Sequence, residues 1–536
     1  MMPSRAAPMI AALVLMCAST AAASDDVRRY AVIVAHGEDL AGNAPDLEYA
    51  DDDAARYFEL YQHIADDVQL FSVLDRDTQR LHPEAASAAD APSRARVLSG
   101  IERAFERARR DVADGLRVEF TFVLAGHGDV GPGGEGYISL LDEPFTRSDL
   151  YQHVLSRSPA TTNHIVIDAC NSFFLVNRRG GDDATGPGRG DVVRAFLKRE
   201  DLSRYPNTGV LLSTSSEAES HEWSAYRAGV FSHMVRSAIA GAADVNGDGR
   251  IEYSEIEAFV AAANARIDDP RARVEIFAQP PAIDESRPLV DLRDARFEHW
   301  LELPGGEPLR VYLEDARGIR YLDAHMSGER EIVVGLVAKP HYFVRTADGK
   351  RKARVALGGA GRIAFDRDRL RPVEIAARSA VADAFRIWLF SEPFGPSFYQ
   401  GYVSARDRRP IRFDTAAWRP EAAPLPACGQ RAARLARSRG LGPGDDDELD
   451  RVFHALRSGL PEDEVSHRCE RARELARATA IDGAVVRNKL AELNARAQAD
   501  AALEARLRAV GDRLVDLLSA GDYERALRIL SRVARE

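Results

Sequence analysis

The chain has 536 residues, of which 45% are hydrophobic and 29% are charged, and its formal net charge is -11 at pH 7. One hydrophobic core cannot serve a chain of this length, so we expect three or four folded units. The acidic balance argues against nucleic acid as the main partner. Four cysteines in a chain of this length exclude a disulfide-scaffold protein.

The start of the chain has the pattern of a secretory signal peptide. Arg5 gives a positively charged start, residues 9–16 are apolar, and Ala21–Ala23 supply the small residues of a cleavage site. We expect cleavage near Ala23 and export of the mature protein to a periplasmic or extracellular space. No later apolar run approaches the roughly 18 residues of a membrane span, so no membrane span is expected.

Residues 28–228 alternate between strand and helix patterns, which predicts a mostly parallel sheet with helices on both faces. The three acids Asp51–Asp53 open the first helix, and we predict that they cap it. The predicted elements are strands at 30–34, 71–74, 122–126, 164–168 and 210–213, and helices at 49–61, 93–114 and 148–157.

Two of these strands end in residues that can do chemistry: Phe122-Val-Leu-Ala-Gly-His-Gly-Asp129 and His164-Ile-Val-Ile-Asp-Ala-Cys-Asn-Ser172. Ligands bind beyond the carboxyl ends of buried parallel strands, so His127 and Cys170 are expected at one edge of the sheet. A thiol becomes a nucleophile when an imidazole favours its thiolate, which predicts a Cys/His dyad. The alternative is a Gly-His-Gly turn beside a buried structural cysteine.

Strand–Gly-His-Gly followed by strand–Asp-Ala-Cys-x-Ser resembles the caspase-like cysteine peptidases, nearest to the metacaspase and bacterial caspase-like branches. The resemblance covers about residues 28–285. It implies a caspase–hemoglobinase-like fold, with His127 and Cys170 as the catalytic dyad. Backbone N–H groups of Gly128 and Cys170 would then form the oxyanion hole.

Asp168 stands two residues before Cys170, so alternation along a strand places both side chains on one face. Metacaspase-like enzymes carry an acid at this position and cleave after Arg or Lys. The resemblance therefore implies basic specificity, with Asp168 as the floor of the substrate pocket and Ser213 and Ser215 on its wall. The alternative is an acid that only accepts hydrogen bonds from loop amides.

The sequence after the nucleophile departs from the family pattern. The family usually continues the cysteine with x-Ser-Gly, but here Asn171-Ser172 precede two phenylalanines. The missing glycine removes a residue that tolerates positive φ, which favours an alternative function: a catalytically inert caspase-like module that binds calcium and partners. Residues 177–190 have the composition of an exposed linker, and their Arg178-Arg179 pair also offers a self-cleavage site.

A second motif, Asp244-Val-Asn-Gly-Asp-Gly-Arg-Ile-Glu-Tyr-Ser-Glu255, matches the EF-hand calcium loop at every diagnostic place. Helical patterns flank it at 229–242 and 254–267. A single loop of this kind predicts a weak, structural calcium site, and the alternative is an Asx-rich turn without metal. The predicted ligands are Asp244, Asn246, Asp248, the backbone carbonyl of Arg250, Glu252 through water, and bidentate Glu255.

The second half of the chain changes character twice. Short alternating segments with Gly-containing turns predict a β-sandwich module over 289–412. Residues 413–536 are rich in Ala, Leu, Arg and Glu, which predicts a helical C-terminal region. Cys428 and Cys469 lie there and can pair in an oxidising compartment, which leaves Cys170 free. We predict no chemistry here, and a protein partner through either region is the expected role.

The sequence thus predicts a signal peptide (1–23), a caspase-like peptidase domain (24–288), a β-sandwich module and a helical region. The function that we expect is that of an exported cysteine endopeptidase. It would hydrolyse peptide bonds of proteins or peptides after Arg or Lys, and calcium would brace its fold.

Overall fold

The structure is a computed structural model. Cys170, Ser215, the predicted signal peptide and the Arg178-Arg179 pair lie outside the residues that it describes. The described residues are 27–169 without 43 and 132–134, 202–213, 222–223, 226–267, 273–274, 276–339, 341–355, 357, 361–373, 389–406, 408–413, 418, 420, and, after 426, the helices given below with a few residues between them.

The N-terminal half is built from fourteen described strands and seven described helices. The strands are β1 Val27–His36, β2 Asp67–Phe71, β3 Ala89–Asp90, β4 Arg117–Gly126, β5 Gly128–Val130, β6 Gly136–Ile138, β7 Phe145–Thr146, β8 Thr162–Asp168, β9 Thr208–Ser213, β10 Glu222–Trp223, β11 Ala228–Gly229, β12 Arg250–Ile251, β13 Ile276–Gln279 and β14 Val290–Asp291. The helices are α1 Ala50–Tyr61, α2 Arg76–Leu81, α3 Pro83–Ala88, α4 Arg94–Ala113, α5 Arg147–Asp149 continued by a π-helical turn Leu150–Leu155, α6 Val230–Ser237 continued by Ala238–Ala242, and α7 Tyr253–Asn264.

Seven strands form one sheet in the order β13-β9-β8-β4-β1-β2-β3. All neighbouring pairs are parallel except β13 with β9. Alternation sends Ile33 and Val123 to the face covered by α1, α6 and α7, and Val34 and Phe122 to the face covered by α4 and α5. This confirms the predicted mostly parallel sheet flanked by helices.

Three local predictions differ from the structure. The strand expected at 71–74 lies at 67–71, where the polar side chains of Asp67 and Gln69 interrupt the apolar pattern near the sheet edge. The short antiparallel sheet β5-β6-β7 was not expected, because strands of two or three residues carry no periodic signal. The acids of α1 do not cap it, since Tyr49 is its N-cap and no side chain bonds there.

The segment after β14 forms two further sheets, in the orders β18-β15-β21 and β17-β16-β19-β20-β22. They share one hydrophobic core with the α1, α6 and α7 side of the large sheet. Gly241 has φ +123 and lies so close to the Val333 carbonyl oxygen that a Cβ at this position would be 2.2 Å from it. We call these sheets the β module: β15 His299–Leu303, β16 Leu309–Asp315, β17 Arg320–Met326, β18 Ile332–Leu336, β19 Tyr342–Thr346, β20 Arg351–Val355, β21 Arg362–Ala364 and β22 Arg371–Pro372.

The C-terminal region is helical, as the composition predicts. A disulfide joins Cys428 to Cys469 and so links two of its helices, which confirms that these two cysteines can pair. No helix among the described residues is long and apolar enough to cross a membrane. The described helices after the β-module strands are α8 Pro396–Arg406, α9 Ala427–Arg439, α10 Glu462–Ala478, α11 Ala501–Ser519 and α12 Tyr523–Val533.

Candidate functional site

The carboxyl ends of the parallel strands lie side by side at one edge of the large sheet. The register places His36 of β1 opposite Gly126 of β4, and Ala125 of β4 opposite Asp168 of β8. His127 follows Gly126 directly, so its backbone stands at the end of a strand whose neighbour leads to Cys170 two residues after Asp168. The structure therefore describes the histidine half of the predicted dyad at the expected edge.

His127 is half-buried, and its Nε2 atom is buried without a hydrogen-bond partner among the described residues. Its carbonyl oxygen accepts a hydrogen bond from the Ser139 N–H at 2.9 Å, which ties the turn to the end of β6. The preceding Gly126 has φ +152, and a Cβ there would lie 2.6 Å from the His36 carbonyl oxygen. Glycine is thus required before the histidine, because any side chain would separate β1 from β4.

Gly128, predicted to supply an oxyanion-hole N–H, lies in β5 and is paired with Ile138 of β6. The β5-β6-β7 sheet stands beside the strand ends as a wall of the candidate site. Ser139 follows β6, and its hydroxyl lies 3.3 Å from an Asp39 carboxylate oxygen in the loop after β1. Two loops of the site edge are therefore joined to each other. The oxyanion-hole role of Gly128 stays a prediction.

Asp168 is half-buried and holds the start of α6. Its Oδ2 atom accepts hydrogen bonds from the Ser232 hydroxyl at 2.5 Å and from the Ser232 N–H at 3.1 Å. Burial, and next the negative charge of Asp53, raise the pKa of Asp168 to about 7, although the bonds from Ser232 act the other way. Asp168 thus accepts a hydrogen bond from a backbone N–H, as its alternative role requires, and its role at the substrate pocket stays a prediction.

Asp53 is a residue of this site that the sequence reasoning assigned only to capping. It accepts hydrogen bonds from the Gly229 N–H at 2.8 Å and from Arg236 Nη1 at 2.7 Å. Asp53 and Asp168 thus hold the same short stretch around the start of α6. The sequence did carry one signal for this role. Helix α1 follows strand β1, which ends at the site, and its first turn contains three acids, more than the capping of one helix needs.

The predicted wall residues are placed in part. Ser213 is the last residue of β9, is buried, and lies opposite Ile276 of β13. It therefore belongs to the same strand-end edge as His127 and Asp168. Ser215 lies outside the described residues, so the wall of the pocket stays a prediction.

The calcium-loop motif forms a tight loop between the continuation of α6 and helix α7. Gly249 has φ +76, which the sharp turn requires. Asp244 accepts hydrogen bonds from the N–H groups of Asp248 at 3.1 Å and Gly249 at 2.9 Å. Glu255 reaches back to the Val245 N–H at 3.1 Å and the Glu252 N–H at 2.8 Å.

The loop collects several buried carboxylates, and Arg250 and Arg409 lie near enough to one of them, Glu252, to act against the rise of its pKa. Glu255 is fully buried, and burial with the charge of Asp244 raises its pKa well above the ordinary value. Burial and the charge of Asp248 raise the pKa of Asp244 to about 7, and burial raises that of Glu252 to about 7. This oxygen-donor set fits calcium by its chemistry. Among the described residues, however, no three such side chains are grouped as closely as a metal site requires.

The other two predicted ligands also lie in this loop. The Asn246 amide donates to Asp248 Oδ2 at 3.0 Å and to the Arg412 carbonyl at 2.9 Å. Arg250 begins β12, which pairs with β14 as a two-stranded ribbon. Trp418 donates its backbone N–H to the Gly247 carbonyl at 2.5 Å. The loop is therefore braced by segments from later in the chain.

No known family model and no curated protein matches the sequence. Solved structures similar to this chain include a protein of Geobacter sulfurreducens, at 16% identity and TM-score 0.28. The match covers 50% of this chain and 99% of the Geobacter chain. Caspase-1 of Spodoptera frugiperda matches at 13% identity and TM-score 0.29, over 48% of this chain and 87% of its own. The pro form of that caspase matches at 13% identity and TM-score 0.29, over 49% of this chain and 90% of the pro-caspase chain. Matches with TM-scores this low carry no argument about the family or the activity of this chain.

Proposed function

We propose that the protein is an exported caspase-like cysteine endopeptidase with His127 and Cys170 as its dyad. The observation that carries the proposal is the register of the neighbouring parallel strands β4 and β8, with Ala125 opposite Asp168. Because consecutive Cα atoms are about 3.8 Å apart, a thiol two residues beyond Asp168 stays near this edge. The buried Nε2 of His127 has no hydrogen-bond partner among the described residues, which suits it to exchange a proton with a thiol at this edge.

The proposed reaction needs only the chain and water. The Cys170 thiolate attacks the scissile carbonyl carbon, and the charge on the carbonyl oxygen is held by N–H groups such as that of Gly128. As the C–N bond breaks, His127 gives its proton to the leaving amine, and a thioester remains on the sulfur. Water then attacks the thioester while His127 takes its proton, which releases the carboxylic acid and restores the dyad.

We assign the specificity to peptide bonds after Arg or Lys. Asp168 forms no ion pair among the described residues, because Arg236 bonds to Asp53 instead, so the ionised Asp168 carboxylate places a negative charge at the pocket edge. A positively charged substrate side chain would be attracted to this edge. Export is proposed from the N-terminal sequence pattern, and the Cys428–Cys469 disulfide supports an oxidising compartment.

A library of fluorogenic peptides that differ in the residue before the scissile bond tests this proposal most directly. We expect the mature protein to cleave substrates with Arg or Lys there, at rates at least tenfold above those with neutral residues. Preference for Asp would show that the pocket assignment is wrong while the dyad is right. Absence of cleavage across the library, in the presence of calcium and a reductant, would contradict the peptidase assignment.

The alternative is an inert caspase-like interaction module, which the Asn171-Ser172 stretch and its missing glycine favour. The two functions differ in the reactivity of Cys170. An activated thiol reacts with an iodoacetamide probe faster than a model thiol at neutral pH, and a shielded structural thiol reacts more slowly. His127→Ala is the matched control, since it should slow the labelling only if the imidazole activates the thiol.

We further propose that the loop from Asp244 to Glu255 binds calcium as a structural ion. Burial is the main cause of the raised pKa values of Asp244 and Glu255, and repulsion between carboxylates adds to it, from Asp248 on Asp244 and from Asp244 on Glu255. Calcium would supply a positive charge to this oxygen-lined loop, and its binding requires the ligand side chains to draw closer together than in the structure. Affinity should be weak, with a Kd of about 10⁻⁴ M.

Chelation should therefore lower the melting temperature. At 1 mM calcium and the expected affinity, the ion would stabilise the fold by about 1.4 kcal/mol, which corresponds to about 3 °C or more. Differential scanning fluorimetry with and without a chelator measures this shift, and Glu255→Gln should remove most of it. Magnesium at the same concentration serves as the control ion. If melting is the same with and without chelator in the parent protein, the loop is a turn without metal.

A further inference from the structure

A buried polar cluster joins the peptidase domain to the β module. His233 of α6 and Asp323 of β17 are both fully buried, and His233 Nε2 lies 2.8 Å from Asp323 Oδ2. Burial lowers the pKa of His233 to about 4, so at neutral pH the ring is uncharged and its Nε2–H donates to the carboxylate. Arg320 of the same strand donates Nε to Asp323 at 2.5 Å and supplies the balancing charge.

Further contacts fix the orientation of this cluster. The Tyr226 ring stacks on the His233 ring with centroids 4.1 Å apart, and the Arg320 guanidinium lies 4.7 Å from the centre of the same tyrosine ring. The Asp323 N–H donates to the Ser237 hydroxyl at 3.2 Å, and that hydroxyl donates to the His233 carbonyl at 2.8 Å. Helix α6 is therefore held by β17 through side chains and backbone together.

The same helix carries the groups that hold the two acids of the candidate pocket. Ser232 bonds to Asp168, and Arg236 bonds to Asp53. These two residues stand directly before and three places after His233 in the helix. A change in the position of α6 would therefore move the partners of both acids at once. Buried ion pairs add little net stability but fix geometry, so the cluster is better suited to positioning than to stabilising.

We propose that His233 and Asp323 are positioning residues for the specificity pocket, so that the β module is part of the substrate-selecting machinery. This inference rests on the proposed function for its link to basic substrates. The structural half of the inference, that β17 holds α6 and that α6 holds Asp168 and Asp53, does not depend on the proposed function. The β module then acts on selection without contacting the substrate.

Backbone hydrogen exchange over residues 226–237 tests the structural half. Replacing the donor by His233→Leu should speed exchange of the Ser232 and Gly229 amides about tenfold, since these amides bond to the pocket acids. His233→Gln keeps an N–H donor for Asp323 and should give a much smaller increase. The control is Glu314→Gln, which removes a charge from an ion pair with Arg345 inside the β module and should leave exchange in this segment unchanged.

Kinetics test the functional half. We expect His233→Leu to raise KM for an Arg substrate about fivefold and to change kcat less than twofold, with His233→Gln in between. A wild-type protein that cleaves no basic substrate would overturn the proposed function, and the exchange result would still decide the structural half. Should His233→Leu fail to fold, Asp323→Asn replaces it. Unchanged exchange and KM in the folded variants would show that the cluster only packs two units together.

Discussion

Cys170→Ala should reduce peptide hydrolysis by at least about 10⁴-fold, because the thioester needs a thiol, and the other cysteines of the sequence are Cys17 of the predicted signal peptide and the disulfide-bonded Cys428 and Cys469. The substitution removes one sulfur atom and no charge-bearing contact within the described residues, so the fold should be retained. Initial rates on the best Arg substrate, together with circular dichroism and melting temperature, measure both parts of the expectation.

Two further variants make this result specific. Cys428→Ser with Cys469→Ser removes the two disulfide-bonded cysteines and should leave hydrolysis within about twofold of the parent, because that disulfide lies in the helical region. His127→Ala should approach the loss seen for Cys170→Ala, since residues that act as a unit do not contribute additively. Retained hydrolysis in Cys170→Ala would contradict the assignment of His127 and Cys170 as the catalytic dyad.

The parts of the fold that could be predicted are those that leave a periodic signal. Strands β4 and β8 are buried on both faces toward their carboxyl ends and appear there as the short apolar runs 122–126 and 165–167, and α4 shows helical spacing over almost its whole length. Their order along the chain was enough to expect a parallel sheet and a common strand-end edge. The placement of His127 at that edge followed from these patterns alone.

The partners of the pocket acids could not be predicted because they are distant in sequence. Asp53 accepts a hydrogen bond from Arg236, which lies 183 positions later in the chain. Neither residue lies in a local sequence pattern that indicates the other. A helix that begins with three acids is a sufficient explanation for Asp53 until the position of α6 is known. The link between α6 and β17 is hidden in the same way, since His233 and Asp323 each resemble ordinary polar residues of a helix and a strand.

Asp168→Asn should separate specificity from stability. Removing the negative charge should lower kcat/KM for an Arg substrate about 50-fold at pH 8, the cost of one charge-assisted contact. The asparagine carbonyl can still accept the bonds from Ser232. Burial raises the folded-state pKa of Asp168 to about 7, above the ordinary 3.8. Its ionisation therefore costs stability as pH rises from 4 to 7, and the variant should melt no lower than the parent at pH 8.

The pH dependence distinguishes this role from a purely structural one. At pH 5.5 the parent carboxyl is itself mostly protonated, so the ratio of parent to variant kcat/KM should fall to about threefold. Taking the ratio cancels the titration of the dyad, which both proteins share. A ratio that stays constant from pH 5.5 to 8 would mean that the charge of Asp168 does not select the substrate. A melting temperature that drops sharply in the variant would mean that Asp168 serves mainly to hold Ser232 and the start of α6.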